Sequence, residues 1–442
     1  MPEQLGLREA VAMGVGGLIG GGIFAVLGVA TDIAGNAAFL SYLLAGAIAL
    51  ASGYSYVRMT AHLREEGGSF TFVEHYTERE NVAGVVGWTL VVGYVGTMAM
   101  YAYAFGSFAG GLLGVGGVPW ARGAISVGVV AAFTGVNLLG VRESGESQDL
   151  LVYAKVAILL LFGGVGVATI LWRPGVALLP GGILDRGVVA PVVAIGAIFV
   201  SFEGFQLLTY EYSDIAGGVR TMARGVYVSI VASTLIYVLV ALVTTSVLTP
   251  EEILRHRETV LAVAAAALFR SPIVERAAYV LVSLAALFST ASAINATLFG
   301  TARLTHKVAT EGALPELFSF RNRAGIPTRS LLAIAGLTVA FTALGTLAEI
   351  TTFASIAFAV VFGVVNYVCL RDRDVDRRRW IPAVGLVGTA SFVPLIIWHY
   401  LRTDPTVLLY VGGIVAAMLA LELLYFERRI AEVDFLRPGR SD

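Results

Sequence analysis

The stretch Gly14-Val-Gly-Gly-Leu-Ile-Gly-Gly-Gly-Ile-Phe24 constrains this chain more than any other. Six of the nine residues from Gly14 to Gly22 are glycine, and they sit inside an apolar run long enough to cross a bilayer. Each interior glycine costs a helix about 1 kcal/mol relative to alanine. Main-chain groups released from a helix at membrane depth survive only where protein, a cavity or a ligand satisfies them. A span written to break near its middle therefore marks a binding site. Glycines also serve close helix packing, and Gly16 with Gly20 meets the G-x-x-x-G spacing. Their density here exceeds what packing needs.

Composition supports the membrane premise. Of 442 residues, 57% are hydrophobic and 14% charged, and the mean hydropathy is +0.81. Ordinary soluble proteins carry about 25% charged residues. The chain reads as an integral membrane protein, and Leu7 onward as a retained span rather than a cleaved signal. A formal net charge of −1 supplies no basic field for nucleic acid. Cys369 is the single cysteine, so no internal disulfide forms, and no Cys/His cluster suggests a metal or cofactor. His62, His75, His256, His306 and His399 fall at loops or helix ends and make no nucleophile–base constellation, which argues against an enzyme. No ring of pore-lining charges suggests a channel.

Runs of about 20 apolar residues are the unit to count. Twelve emerge, near 7–31, 36–60, 83–112, 120–140, 149–172, 188–213, 223–248, 277–304, 329–347, 350–370, 380–401 and 405–427. The apolar stretch Thr259–Phe269 is too short to span and reads as an external helix lying on the surface. With both termini placed in the cytoplasm, the inner loops and adjoining helix ends hold 21 of the 30 Lys and Arg residues. That excess satisfies the positive-inside rule. The run Arg371-Asp-Arg-Asp-Val-Asp-Arg-Arg-Arg379 supplies five of those cations and reads as a solvated turn.

The sixth run, Ala197-Ile-Phe-Val-Ser-Phe-Glu-Gly-Phe-Gln206, places Glu203 and Gly204 near mid-depth, where a charge is costly and a glycine loosens the helix. Interrupted first and sixth spans point to two five-helix halves with a midplane site. The expected fold is all-α, with twelve transmembrane helices in a LeuT-like 5+5 inverted repeat. Residues 7–172 form the first half and 188–370 the second, within one transmembrane domain over 1–428. Helices eleven and twelve, 380–427, lie outside the repeat, and 429–442 form a short cytoplasmic tail.

With both breaks in hand, the chain resembles the amino acid–polyamine–organocation (APC) superfamily of permeases over roughly residues 5–430. Gly14-x-Gly-Gly-Leu-Ile-Gly-x-Gly-Ile-Phe24 is similar to the family's first-helix signature, and Phe202-Glu-Gly-Phe205 to its sixth-helix break. Gly67-Gly68-Ser-Phe70 resembles the glycine pair before helix three. Asn295-Ala-Thr-Leu-Phe-Gly-Thr-Ala-Arg303 with Glu311-Gly-Ala-Leu-Pro315 resembles the end of helix eight and its loop. Gln206 departs from the pattern, since many relatives carry an acidic residue there.

An amino acid zwitterion needs a partner for each charge. Main-chain N–H groups at Gly21 and Gly22, opening the outer half-helix, suit its carboxylate. Carbonyls freed around Val200, Ser201 and Phe202 suit its ammonium, and the resemblance implies the same arrangement. Ile19, Gly20 and Gly204 complete the two unwound stretches. Side-chain selection falls to Leu18, Phe202, Glu203 and, placed by resemblance of Tyr94-Val-Gly-Thr97 to the helix-three lining, Thr97. Lys155 is one of only two lysines and stands among apolar neighbours in the fifth span. Such a lysine either snorkels to the surface or serves inside, where it can release a proton as arginine cannot. Relatives without sodium coupling carry a lysine in helix five, its ammonium in a cation cage. Here that cage comprises the carbonyls of Gly16 and Ile19 and the hydroxyls of Ser289 and Ser292, two serines that share a helix face.

The reading is a multi-pass protein of the cell membrane that imports neutral amino acids with protons by alternating access. Its partners are an amino acid, a proton and the lipid bilayer. If Glu203 receives a distal cation, the substrate is instead a cationic amino acid or polyamine, carried or exchanged. An alternative of another class is a transporter-like amino acid receptor.

Overall fold

The computed structural model describes residues 5–64, 68–76, 80–118, 120–140, 145–173, 177–179, 181–310, 314–322, 325–372, 374–375 and 378–436. Gly67, Glu311–Ala313, Arg373, Asp376, Arg377 and the tail from residue 437, all singled out above, lie outside these.

The first span is interrupted, as α1 (Leu7–Leu18) and α2 (Gly22–Ala34). A 3-10 turn at Gly35–Ala37 leads into α3 (Ala38–Leu63), followed by α4 (Gly68–Tyr76), α5 (Glu80–Leu112), α6 (Ala121–Leu138) and α7 (Gly145–Trp172). The sixth span is interrupted too. It comprises α8 (Ala190–Ile198), a 3-10 turn at Phe199–Phe202, and after a gap the short α9 (Leu207–Tyr210). Then come α10 (Gly218–Val247), α11 (Pro250–Arg255), α12 (Val260–Ala267), α13 (Pro272–Thr310), α14 (Thr328–Leu344), α15 (Leu347–Arg371), α16 (Trp380–Thr403) and α17 (Pro405–Leu436). Among the described residues nine helical stretches are long and apolar enough to cross a membrane, the first running 22–63 through α2 and α3. Apolar helices at 328–344 and 405–420 are shorter.

Local sequence explains several boundaries. Thr249 and Thr346 begin α11 and α15 with reciprocal capping boxes to Glu252 and Glu349, which satisfies main-chain donors at both helix starts. The N-terminal Leu5 pairs with Ile215 in an isolated parallel bridge, its N–H donating to Asp214 O and its carbonyl accepting from Ala216 N, both at 2.8 Å. That bridge fastens the start of the chain to the loop after α9.

The interrupted spans lie at the centre. All of α2 except Asp32 is buried. So are all of α8 except Val192 and the whole 3-10 turn that follows α8. Small residues let backbones close in around them. Gly14 backs against Ser229 of α10, and Gly96 of α5 against Ala354 of α15. The outer surface instead carries exposed Leu43, Leu161, Leu235, Val387 and Leu409, an apolar coat that lipid covers. The expectation of a surface helix at Thr259–Phe269 needs correction. Within α12, Val260, Leu261, Ala262 and Ala264 have no exposed surface, and the helix packs on α13 and α10. A helix apolar on every side has no face to offer water and is driven into the protein.

Away from the breaks, one polar cluster ties α3 to α15. Asn366 donates Nδ2–H to Ser52 Oγ at 3.0 Å, and Ser55 Oγ donates to Asn366 Oδ1 at 2.7 Å. All three are buried. Removing one partner leaves buried groups unpaired at about 1–3 kcal/mol each. Asn366→Ala is therefore expected to lower the melting temperature in detergent clearly, while Asn366→Gln retains part of it; equal melting of wild type and Asn366→Ala contradicts this account.

Candidate functional site

The two breaks meet. Ile19 ends α1 with φ −87° and ψ 40°, and Gly21 precedes α2 with φ 179° and ψ −9°. Across from them Glu203 turns extended, with φ −71° and ψ 140°, and Gly204 takes φ +128°, a conformation reserved in practice for glycine. A β-carbon on Gly204 would lie 2.7 Å from Leu18 N and 2.8 Å from Gly17 Cα. One on Gly22 would lie 2.7 Å from Ser201 Oγ and 2.9 Å from Ser201 Cα. The unwound stretches thus lie main chain against main chain, and side chains at these points would force them apart.

Unwinding frees main-chain groups, and side chains from other helices meet many of them. Tyr237 of α10 sets its hydroxyl 2.5 Å from Leu18 O and 3.1 Å from Ser201 O, offering one proton to a carbonyl from each break. Ser289 of α13 donates toward Gly20 O at 2.6 Å and Ile19 O at 3.1 Å. Ser355 of α15 accepts from Val200 N at 3.0 Å. Gln206 accepts from Gly204 N at 2.8 Å and directs its amide N–H groups at Tyr94 Oη, 3.2 Å away, and Glu203 Oε1, 3.3 Å away. Tyr101 of α5 and Thr290 of α13 wall the other side of the first break, since a β-carbon on Gly21 would lie 2.6 Å from Tyr101 Cδ1 and 2.9 Å from Thr290 Cγ2.

Two features remain open. The leading N–H groups of α2 have no acceptor within their own helix, as at any helix start, and carry the positive end of its dipole. Facing Gly22, the Ser201 hydroxyl is buried and has no hydrogen-bond partner among the described residues. A donor-rich helix end opposite an unsatisfied hydroxyl and break carbonyls can take both ends of a zwitterion.

The anticipated residues are distributed as follows. Leu18, Ile19, Gly20, Gly21, Gly22, Val200, Ser201, Phe202, Glu203 and Gly204 all lie on the two apposed breaks and are buried. Phe202 sets its ring edge-on to Tyr237 at 5.4 Å. Thr97 is fully buried on α5 and spends its hydroxyl on Gly93 O of its own helix at 3.2 Å; the contact with the first break comes from Tyr101, one turn further on. Lys155 does not snorkel. It is 7% exposed, and its Nζ donates to Gly16 O at 3.1 Å. Of the anticipated cage, the Ile19 carbonyl is taken by Ser289 and not by the lysine, and half-buried Ser292 makes no hydrogen bond among the described residues. Tyr237, Tyr101, Ser355 and Thr290 carry no signal in sequence, because an aromatic or hydroxyl residue in an apolar helix reads as packing or as a self-capping group.

Comparison with known proteins agrees with this architecture. The chain belongs to the amino acid permease family, whose sequence model matches residues 5–419, and so to the APC superfamily of membrane transporters. It is 30% identical to the inner membrane transport protein YbaT of Escherichia coli, covering 89% of each chain. It is 28% identical to an uncharacterized protein of Methanocaldococcus jannaschii, covering 98% of this chain and 97% of that one. A crystal structure of a mutant of the Eremococcus coleocola manganese transporter shares the fold with a TM-score of 0.61 at 13% identity, over 96% of this chain and 94% of that one.

Tyr237 offers a clean test of how the breaks are held. Tyr237→Phe keeps a ring edge-on to Tyr42 and Phe202, each at 5.4 Å, but removes the donor shared by two buried carbonyls. A loss of about 1–3 kcal/mol is expected, read as a lower melting temperature of the purified protein. An unchanged value would mean that the carbonyls find another donor.

Proposed function

We propose that this chain is a secondary transporter that takes up neutral amino acids together with protons by alternating access. On this reading α1–α2 count as one span, as do α8–α9, and with α3, α5, α6, α7, α10 and α13–α17 they make twelve. Residues 7–172 and 188–370 form the two five-helix halves, 380–427 stands outside them, and both termini face the cytoplasm of a cell membrane. The observation that carries the reading is the pairing of an unsatisfied, buried Ser201 hydroxyl with the donor-rich start of α2 at Gly21 and Gly22.

The substrate carboxylate takes the first-turn N–H groups of α2, where the helix dipole favours negative charge. Its ammonium takes the Ser201 side, through the hydroxyl and the carbonyls of the 3-10 turn. Leu18, Phe202 and Glu203 face the remaining substrate atoms, with α5 contributing through Tyr101 and, one turn away, Thr97. Gly22 and Ser201 are in contact, so a ligand between them separates the breaks. Binding energy is thereby linked to movement of α2 against α8, which is how a ligand shifts a conformational equilibrium. Lys155 holds the last full turn of α1 through Gly16 O. Protonated, its ammonium is a strong donor that clamps this turn; neutral, it holds the turn weakly, so one proton moves with each cycle.

A screen of the twenty amino acids and common polyamines by thermal shift tests substrate class. A ligand at 100 times its Kd stabilises by about 2.7 kcal/mol, and small neutral amino acids are expected to shift the melting temperature most. Purified Lys155→Ala protein in proteoliposomes is expected to lose pH-driven uptake while retaining exchange. Undiminished pH-driven uptake refutes the coupling role.

One observation favours a second reading. Glu203 is 5% exposed, and its carboxyl group meets the Gln206 amide but no cation among the described residues. A distal substrate cation would supply the missing partner. Competition by arginine or putrescine, and not by alanine or leucine, would select that reading.

A further inference from the structure

A cavity of about 400 Å³ lies at the end of the bundle opposite the N-terminus, where α2 and α16 finish and α15 begins. Its polar lining includes Asp32, Arg186, Arg257, Glu258, His399 and Asp404. Most of these charges are engaged. Arg257 Nη1 lies 2.9 Å from Asp32 Oδ2. Glu258 accepts from Tyr103 Oη at 2.8 Å through one oxygen and from Ser107 Oγ at 2.7 Å through the other. Asp404 Oδ1 accepts from Thr406 N at 3.2 Å and Thr406 Oγ1 at 2.5 Å.

Arg186 differs. Its guanidinium forms no hydrogen bond or ion pair among the described residues. Yet it does not hang on a loose strand. The turn that carries it closes through Asp185 N to Gly182 O at 3.1 Å and Gly187 N to Leu184 O at 2.8 Å. Asn36 Nδ2 holds that turn by donating to Gly181 O at 2.8 Å. The arginine stem runs over Gly35, where a β-carbon would lie 3.2 Å from Arg186 Cγ and where φ is +56°. Gly35 thus gives the side chain its bed, and the turn presents an uncommitted cation to a concave, polar cavity.

We propose that this cavity is a second binding site, distinct from the breaks, in which Arg186 takes the carboxylate of a small ligand. Guanidinium and carboxylate match in geometry through two parallel N–H···O bonds. The Asp32 and Asp404 carboxylates retain lone pairs for an ammonium, so the walls complement a zwitterion better than a simple anion. The volume falls in the range of small-molecule pockets. Its position at one mouth of the bundle makes it the place where a substrate is gathered before reaching Ser201; only this gathering role rests on the transport reading.

The test uses the full-length protein and an arginine-specific reagent. Phenylglyoxal labelling of Arg186 is followed by peptide mass spectrometry with L-alanine, propionate, ethylamine or sodium chloride present at equal millimolar concentration. Alanine and propionate are expected to slow labelling several-fold, with ethylamine and chloride inert. Stronger protection by alanine assigns the amino acid as ligand; equal protection assigns free carboxylates. Labelling rates unaffected by alanine and propionate, or chloride protecting as well as they do, overturn the proposal. Gly22→Ala, whose added methyl meets Ser201, is expected to keep the protection, and its loss there would trace the effect to the breaks instead. In uptake assays Arg186→Ala is expected to raise KM about tenfold, equivalent to about 1.4 kcal/mol, with Vmax unchanged, and Arg186→Lys to restore part of the difference. A fall in Vmax at constant KM contradicts a binding role. Wild-type protein that moves no amino acid refutes the transport reading, while the labelling result still decides the site.

Discussion

Main-chain hydrogen bonding under apolar surroundings is the constraint on which this structure turns. A helix that unwinds inside a bilayer exposes donors and acceptors that lipid cannot satisfy. Here two helices unwind at once, and the remedy lies in their apposition and in side chains from α10, α13 and α15. Tyr237, Ser289 and Ser355 close off main-chain groups, Gln206 folds back on Gly204, and Gly17 with Gly204 brings the two unwound stretches into direct contact. What stays open among the described residues, the Ser201 hydroxyl and the first N–H groups of α2, which find no acceptor in their own helix, is what a ligand can claim.

The same economy explains where polarity is placed elsewhere. Lys155 and Glu203 are buried ionisable groups at the breaks: Lys155 Nζ donates to Gly16 O, and the Glu203 carboxyl group accepts from the Gln206 amide of its own break. Neither is neutralised by a partner of opposite charge among the described residues. Buried ionisable groups held this way are costly and are kept where function needs them. The Asn366 cluster with Ser52 and Ser55, by contrast, is mutually satisfied and acts as a join between α3 and α15.

Much of this is legible in the chain because it is local. The glycine density between Gly14 and Gly22 and the Glu203-Gly204 pair predict interruptions, and interruptions stand at 19–21 and 203–206. A lysine within an apolar span, in a chain with only one other lysine, sets Lys155 apart. The short apolar run near residue 260 is equally visible, but its environment is not, since periodicity cannot tell a helix resting on protein from one enclosed by it.

Composition and glycine content act within one segment. They suffice to place this chain in a membrane, to break its first and sixth spans, and to name the residues of the unwound stretches themselves. What closes the breaks is settled by packing. Leu18 and Tyr237 are 219 positions apart, and Val200 and Ser355 are 155 apart. Packing likewise gives the Ile19 carbonyl to Ser289 and leaves Arg186 over Gly35 beside the cavity. Contacts of this reach depend on how helices stack, and a tyrosine, serine or arginine carries no mark of its eventual neighbour until they do.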